Sequence, residues 1–139
     1  MIRTNLDSLF NMTRPVINGM RERNFGRVVN IASINGQKGQ LGLANYCSAK
    51  AGVIGFTRAL ALESARKGIT VNAIAPGYVA TELLTGVSEE VMKSIVGQIP
   101  VGRLGEADEV ARCVMFLAAD EAGWITGSTL TINGGQFMD

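Results

Sequence analysis

The sequence predicts an α/β protein built on a parallel sheet, and three observations carry that reading. Two short β-branched runs, Arg27–Ser33 (RVVNIAS) and Thr70–Ala75 (TVNAIA), are apolar almost throughout, as strands covered on both faces are. Stretches with helical periodicity alternate with them. Turn residues close the strands: Pro76-Gly77 after the second run, and Asn133-Gly134-Gly135 after a third, Ser128–Ile132. Helices interleaved with short buried strands place the strands side by side in parallel.

Taken in order, Leu6, Leu9, Phe10, Thr13, Val16, Ile17 and Met20 recur at helical spacing, so an amphipathic helix is expected over residues 4–24. Pro15 should kink it and Gly26 should stop it. The first strand follows, then a glycine-rich loop from Ile34 to about Ala44. A long Ala- and Leu-rich helix runs from Tyr46 to Arg66 and is closed by Gly68. After the second strand a loop leads to a helix starting near Ser88, where Glu89 and Glu90 suit the positive N-terminal end. Another helix covers about Glu106–Ala119, and the third strand ends the pattern. Open parallel sheets bind ligands beyond the carboxyl ends of their strands. Ser33 and Pro76-Gly77 stand at two such ends.

Composition narrows the function. With 47% hydrophobic and 18% charged residues the chain reads as folded rather than disordered. A net charge of +1, with no block of like charges, gives no nucleic-acid footprint and no electrostatic hold on a membrane. No apolar run reaches the ~18–20 residues that span a bilayer, and Asp7 interrupts any signal-peptide pattern, so a cytoplasmic protein is expected. Cys47 and Cys113 lack CxxC spacing and are expected as reduced thiols. Histidine is absent, so these residues build neither a Ser-His-Asp triad nor a His-ligated metal site; no metal is expected.

Tyr46 and Lys50, four apart on one helix, share a face one turn from each other. A free phenol titrates near ~10, too high for acid–base work at neutral pH, and a neighbouring ammonium favours the phenolate. The pair is therefore a sensible acid–base unit. By itself the spacing fits equally a solvated lysine beside a half-buried tyrosine. The preceding strand adds Ser33 at its end, a donor able to hydrogen-bond a carbonyl oxygen as charge develops there.

The arrangement N-I-A-S-(x12)-Y-C-S-A-K, with Tyr46 thirteen positions after Ser33 and Lys50 four further on, resembles the signature of the short-chain dehydrogenase/reductase family. Asn5 in T-N-L resembles the Asn that completes that family's tetrad. Val71–Thr81 (VNAIAPGYVAT) is similar to its nicotinamide-side loop, and Thr126–Gly135 (TGSTLTINGG) to its last strand. The resemblance implies a Rossmann-like, doubly wound parallel sheet and an oxidoreductase that works with NADPH or NADH. It implies that Tyr46 exchanges the proton with the substrate oxygen, that Lys50 assists Tyr46 and holds the cofactor ribose, that Ser33 orients the carbonyl, and that Asn5 helps hold a water in a proton relay. Pro76, Gly77, Val79 and Thr81 would line the nicotinamide, although Pro76-Gly77 also reads as a plain strand-ending turn and Asn5 as a surface residue. Asn72 is given no role beyond strand packing.

Within the family, Asn35–Gln40 (NGQKGQ) and Asn133–Met138 (NGGQFM) resemble the reductases that convert acetoacetyl-CoA to 3-hydroxybutyryl-CoA in polyhydroxyalkanoate synthesis. Gln40 matches a substrate-side glutamine of that group, while Leu43 stands where a second glutamine is expected. Gln37 and Gln40 also fit solvated loop positions. The 3-oxoacyl-acyl-carrier-protein reductases are the alternative, and a truncated inactive remnant is another. The family's TGxxxGxG phosphate turn and its NNAG segment do not occur in these 139 residues. Gly36–Gly42 is glycine-rich but follows the wrong strand to cradle a phosphate. The expectation is thus the C-terminal part of one Rossmann-fold domain, residues 1–139, lacking its N-terminal βαβ unit. The first and long helices resemble those that form the family's dimer contacts, which implies a homotetramer at full length.

Overall fold

The computed structural model describes residues 1–84 and 86–138. Three strands form a parallel sheet with β2 (Ile69–Pro76) between β1 (Gly26–Ile31) and β3 (Thr129–Ile132). Parallel pairing sets Val28 beside Val71, Asn30 beside Ala73, and Ala75 beside Thr131. Residues 69–75 of β2 are all buried, as an apolar run with a strand on each side and helices on both faces should be. The β2–β3 ladder begins only at Ala73. Below it, side chains complete the bonding. Thr126 Oγ1 accepts from Val71 N at 3.0 Å. The fully buried Asn72 amide donates to Ile125 O at 2.8 Å and accepts from Ser128 N at 3.1 Å.

Alternation along the strands assigns the faces. Ile69, Val71 and the half-buried Val28 pack with Ile17 of α1 (Ser8–Arg23) and with Leu60 and Ala61 of α3 (Ala44–Ser64). A second cluster joins Ala73 and Ala75 to Val53 and Ile54 of α3, with Leu9 beside them. On the same face Asn30 donates to Thr57 of α3 at 2.9 Å. Arg27, which points the opposite way, donates to Ala119 O just past α5 (Ala107–Ala118) at 3.3 Å. Helices thus cover both faces of a Rossmann-like α/β sheet. The short α2 (Ile34–Lys38) follows β1, and α4 (Glu89–Gly97) lies in the connection after β2, started by Ser88 Oγ accepting from Val91 N. Among the described residues no helix is long and apolar enough to cross a membrane.

The structure departs from expectation in five places. The first helix stops at Asn24, whose φ of 53° is the left-handed turn that asparagine tolerates; Gly26 instead opens β1. Its N-terminal turn, Arg3–Asp7, is π-helical, and α1 runs on through Pro15. β1 is less enclosed than expected: helices lie on both faces, but no strand among the described residues pairs with its outer edge, and Ile31 is 48% exposed. The glycine-rich loop contains a helical turn, α2, because Ser33 caps it. The long helix passes through a 3₁₀ turn, Ala65–Lys67, and Gly68 closes it at φ 64°.

Candidate active site

β1 delivers its last residues to the N-terminus of α2. Ser33 is extended and buried, and its Oγ accepts from Asn35 N at 3.1 Å. This is an N-cap, and its signal was present in the sequence as a serine opening a short polar helix. The cap uses a lone pair of Oγ. Among the described residues no acceptor takes the hydroxyl proton, which remains available to donate.

α2 lies directly on α3. A Cβ at Gly36 would stand 2.6 Å from the Lys50 carbonyl carbon, so only glycine admits this approach. The contact brings the Ser33 segment to the turn of α3 that carries Tyr46 and Lys50. Both are half-buried, and the Lys50 ammonium lies 5.7 Å from the Tyr46 ring centroid. Lys50 Nζ donates to Ile31 O at 2.8 Å, which ties α3 to the carboxyl end of β1. Burial pushes the Lys50 ammonium below the ordinary lysine value. The Ile31 carbonyl was not foreseen from sequence: a main-chain acceptor on an edge strand leaves no mark in residue identity.

Asn5 sits in the π-helical turn. Its Nδ2 bonds back to Met1 O at 3.2 Å. The turn packs on α3, with Leu6 against Gly52. Asn5, Ile31 and Lys50 line one cavity of about 320 Å³. Asn5 and Lys50 are therefore brought together, without a direct bond between them among those described. No hydrogen bond links Ser33 to Tyr46 either; each is placed by its own helix.

At the end of β2, Gly77 N donates to Ile132 O at 2.8 Å. A Cβ on Gly77 would lie 2.9 Å from Asn133 Cβ, so the loops leaving β2 and β3 interlock at this glycine. Val79 bridges Gly105, and Ala80 N donates to Gly105 O at 2.8 Å. Pro76, Gly77 and Val79 are half-buried on this fixed loop, and Thr81 is exposed at its end. Arg103, further along, grips Glu109 through its two terminal guanidinium nitrogens at 2.7 and 2.8 Å. Glu109 also accepts from Glu106 N at 2.8 Å, and its carboxyl is held down to about 2, chiefly by the Arg103 bonds.

The two loop glutamines differ. Gln40 is exposed, its Oε1 accepting from Asn35 Nδ2 at 2.8 Å. Gln37 is half-buried and bonds Thr131 of β3 at 3.0 Å, so it is not a solvated loop residue. Cys47 and Cys113 are free and half-buried. Among the described residues no group of three or more His, Cys, Asp or Glu could hold a metal.

Residues 1–136 match the family described as enoyl-(acyl carrier protein) reductase. An acetoacetyl-CoA reductase of Shinella zoogloeoides is 67% identical over 139 residues, covering 99% of this chain and 58% of that protein. One from Rhizobium meliloti is 64% identical over the same shares. The 3-oxoacyl-(acyl-carrier-protein) reductase FabG of Haemophilus influenzae is 46% identical over 138 residues, covering 99% of this chain and 57% of its own. The chain thus spans little more than half the length of these relatives.

Proposed function

Because this chain belongs to the short-chain dehydrogenase/reductase family, we propose that it forms the C-terminal part of one Rossmann-fold domain in a cytoplasmic, homotetrameric NAD(P)H-dependent reductase of 3-oxoacyl thioesters. Acetoacetyl-CoA is the proposed substrate and 3-hydroxybutyryl-CoA the product, as an intermediate for polyhydroxybutyrate. The observation that carries this is the Lys50 ammonium, anchored on Ile31 O and 5.7 Å from the Tyr46 ring, on the helix turn against which the Ser33 segment packs. The 67% and 64% identities to acetoacetyl-CoA reductases support the substrate. The carrier-protein thioester is the second reading, favoured by the 46% identity to FabG.

The residues fit the nicotinamide end of the cofactor. An ammonium has three donors, and Lys50 spends one on Ile31 O, leaving others for ribose hydroxyls. Pro76, Gly77, Val79 and Thr81 would line the nicotinamide on the loop interlocked with Asn133. No glycine turn for the pyrophosphate occurs in this sequence. When bound, the nicotinamide supplies the hydride to the carbonyl carbon. Tyr46 gives its phenolic proton to the carbonyl oxygen. Ser33 donates a hydrogen bond to the same oxygen while its cap bond to Asn35 N holds Oγ in place. Asn5, across the cavity from Lys50, would hold a water through which the proton on Tyr46 is replaced. Gln40, exposed beside the site, is available to the acyl thioester.

The test is a spectrophotometric assay of the full-length protein with acetoacetyl-CoA or acetoacetyl-acyl-carrier protein, each with NADPH and NADH. The reading expects turnover of the CoA ester with NADPH, and a ~10²–10⁴-fold fall in Tyr46→Phe, which keeps the ring and removes the transferable proton. Near-normal turnover by Tyr46→Phe would place the acid elsewhere, and preference for the carrier-protein ester would select the second reading.

A further inference from the structure

We propose that Gln37 and Thr131 form a brace that fixes the roll of α2 and thereby aims the Ser33 hydroxyl, which makes Gln37 a positioning residue for the reaction. The inference rests on the reductase reading above. α2 has five residues, too few to hold its own conformation by helix bonding alone. Its orientation must come from what it touches. Gly36 sets how closely it lies on α3 and the buried Ile34 seats its first turn, but neither ties its later residues to the sheet.

The tie to the sheet is Gln37. Its Nε2 donates to Thr131 Oγ1 at 3.0 Å, and the Thr131 hydroxyl faces Gln37 Oε1 at 3.4 Å. The bond joins residues 94 apart in sequence and crosses over β2. It can do so because the residue paired with Thr131 on β2 is Ala75, whose side chain is small. With both partners half-buried, water competes poorly for the bond.

What the brace controls follows from the cap. Ser33 Oγ accepts from Asn35 N, two residues before Gln37 on the same short helix. If α2 rolls, the Asn35 N–H swings, the lone pair it engages moves, and the remaining O–H of Ser33 is re-aimed. Thr131 is also one residue from Ile132, whose carbonyl receives Gly77 N. The end of β3 therefore anchors both the Ser33 segment and the Pro76–Thr81 loop, holding donor and cofactor sides in one frame. Gln40, whose bond returns to Asn35 of α2 itself, does not reach the sheet.

The test uses the full-length reductase with acetoacetyl-CoA and NADPH. Gln37→Ala and Thr131→Val should each lower kcat about tenfold, as sub-ångström misplacement does, with little change in the cofactor KM. Thr131→Ser, which keeps the hydroxyl, should restore the rate. The decisive variant is Gln37→Ala placed in Ser33→Ala, where the further loss should nearly vanish because the brace acts through Ser33. A purely structural role predicts the same further loss in both backgrounds, and that result overturns the proposal. So does a rise in the thioester KM alone, which would make Gln37 a substrate contact. Should Gln37→Ala fold poorly, the near-isosteric Thr131→Val decides in its place. If the unaltered full-length protein failed to turn over any 3-oxoacyl thioester with NADPH or NADH, the reductase reading itself would fall, an outcome separate from these.

Discussion

Gly36→Ala tests the site with one methyl group. The added Cβ would sit 2.6 Å from the Lys50 carbonyl carbon, 2.8 Å from Lys50 O and 2.9 Å from Ala51 N. All three are main-chain atoms inside the 21-residue α3, which cannot yield locally. The five-residue α2 must move instead, by about 0.8 Å to restore ordinary contact at 3.4 Å. Overpacking of this kind costs ~1–3 kcal/mol. The larger consequence is catalytic: Ser33 caps α2, so a shift of nearly an ångström carries its hydroxyl off the carbonyl oxygen, for which ~10–10²-fold in kcat is expected. The readouts are kcat with acetoacetyl-CoA and a thermal melt of the full-length enzyme. The loss should appear in kcat more than in the cofactor KM, because Lys50 stays tied to Ile31 O. A Gly36→Ala enzyme with unchanged kcat and melting would refute the claim that the α2–α3 approach places Ser33.

Four further outcomes follow. Ser33→Ala should cost ~10²–10³ in rate, by loss of a donor to the developing oxyanion, and its effect should not add to that of Tyr46→Phe because the groups act together. Asn72→Ala leaves Ile125 O and Ser128 N without their partner in a closed site, and a denaturant titration should read about 2–5 kcal/mol of destabilisation with little change in KM. Glu109 has a folded carboxyl at about 2 against 4.5 unperturbed, so its contribution is fully present above about 4.5 and is lost as pH falls through about 2; Glu109→Gln should flatten the acid limb of stability between those values, and an unchanged limb would count against the Arg103 pairing. The 139-residue chain by itself should bind NADPH poorly and associate through the open edge of β1, and micromolar affinity by calorimetry together with a sharp monomeric melt would contradict this.

The parts of the fold legible in the sequence are those where one local rule dominates. The run TVNAIA read as a buried strand, and Ser88 with Glu89 and Glu90 marked a helix start. β1 misled because β-branched residues state a preference for strand but not the number of neighbours; Ile31 is as apolar as Ile74, yet only the latter is enclosed. Gly26 was the expected helix stop, but Asn24 takes the left-handed turn two residues earlier. In the candidate site the spacing of Tyr46 and Lys50 was readable, because helical geometry alone puts them on one face. Their anchors were not. Ile31 contributes a carbonyl that every residue has, and the partner of Gln37 lies 94 residues away.

Gln37 and Gln40 make the same point at closer range. They are three residues apart, identical in chemistry, and indistinguishable by any local rule. One sits on α2 where β3 lies within reach of its amide; the other lies past Gly39, which ends α2 at a φ of 76°, and is exposed. A glutamine held against the sheet is thus separated from an exposed one by a single backbone turn. Leu43, where a second glutamine is expected, is half-buried at the start of α3. Substitutions should be least tolerated where α2, α3 and β3 meet, at Gly36, which has no room for a Cβ, and at Gln37, which is bonded to Thr131.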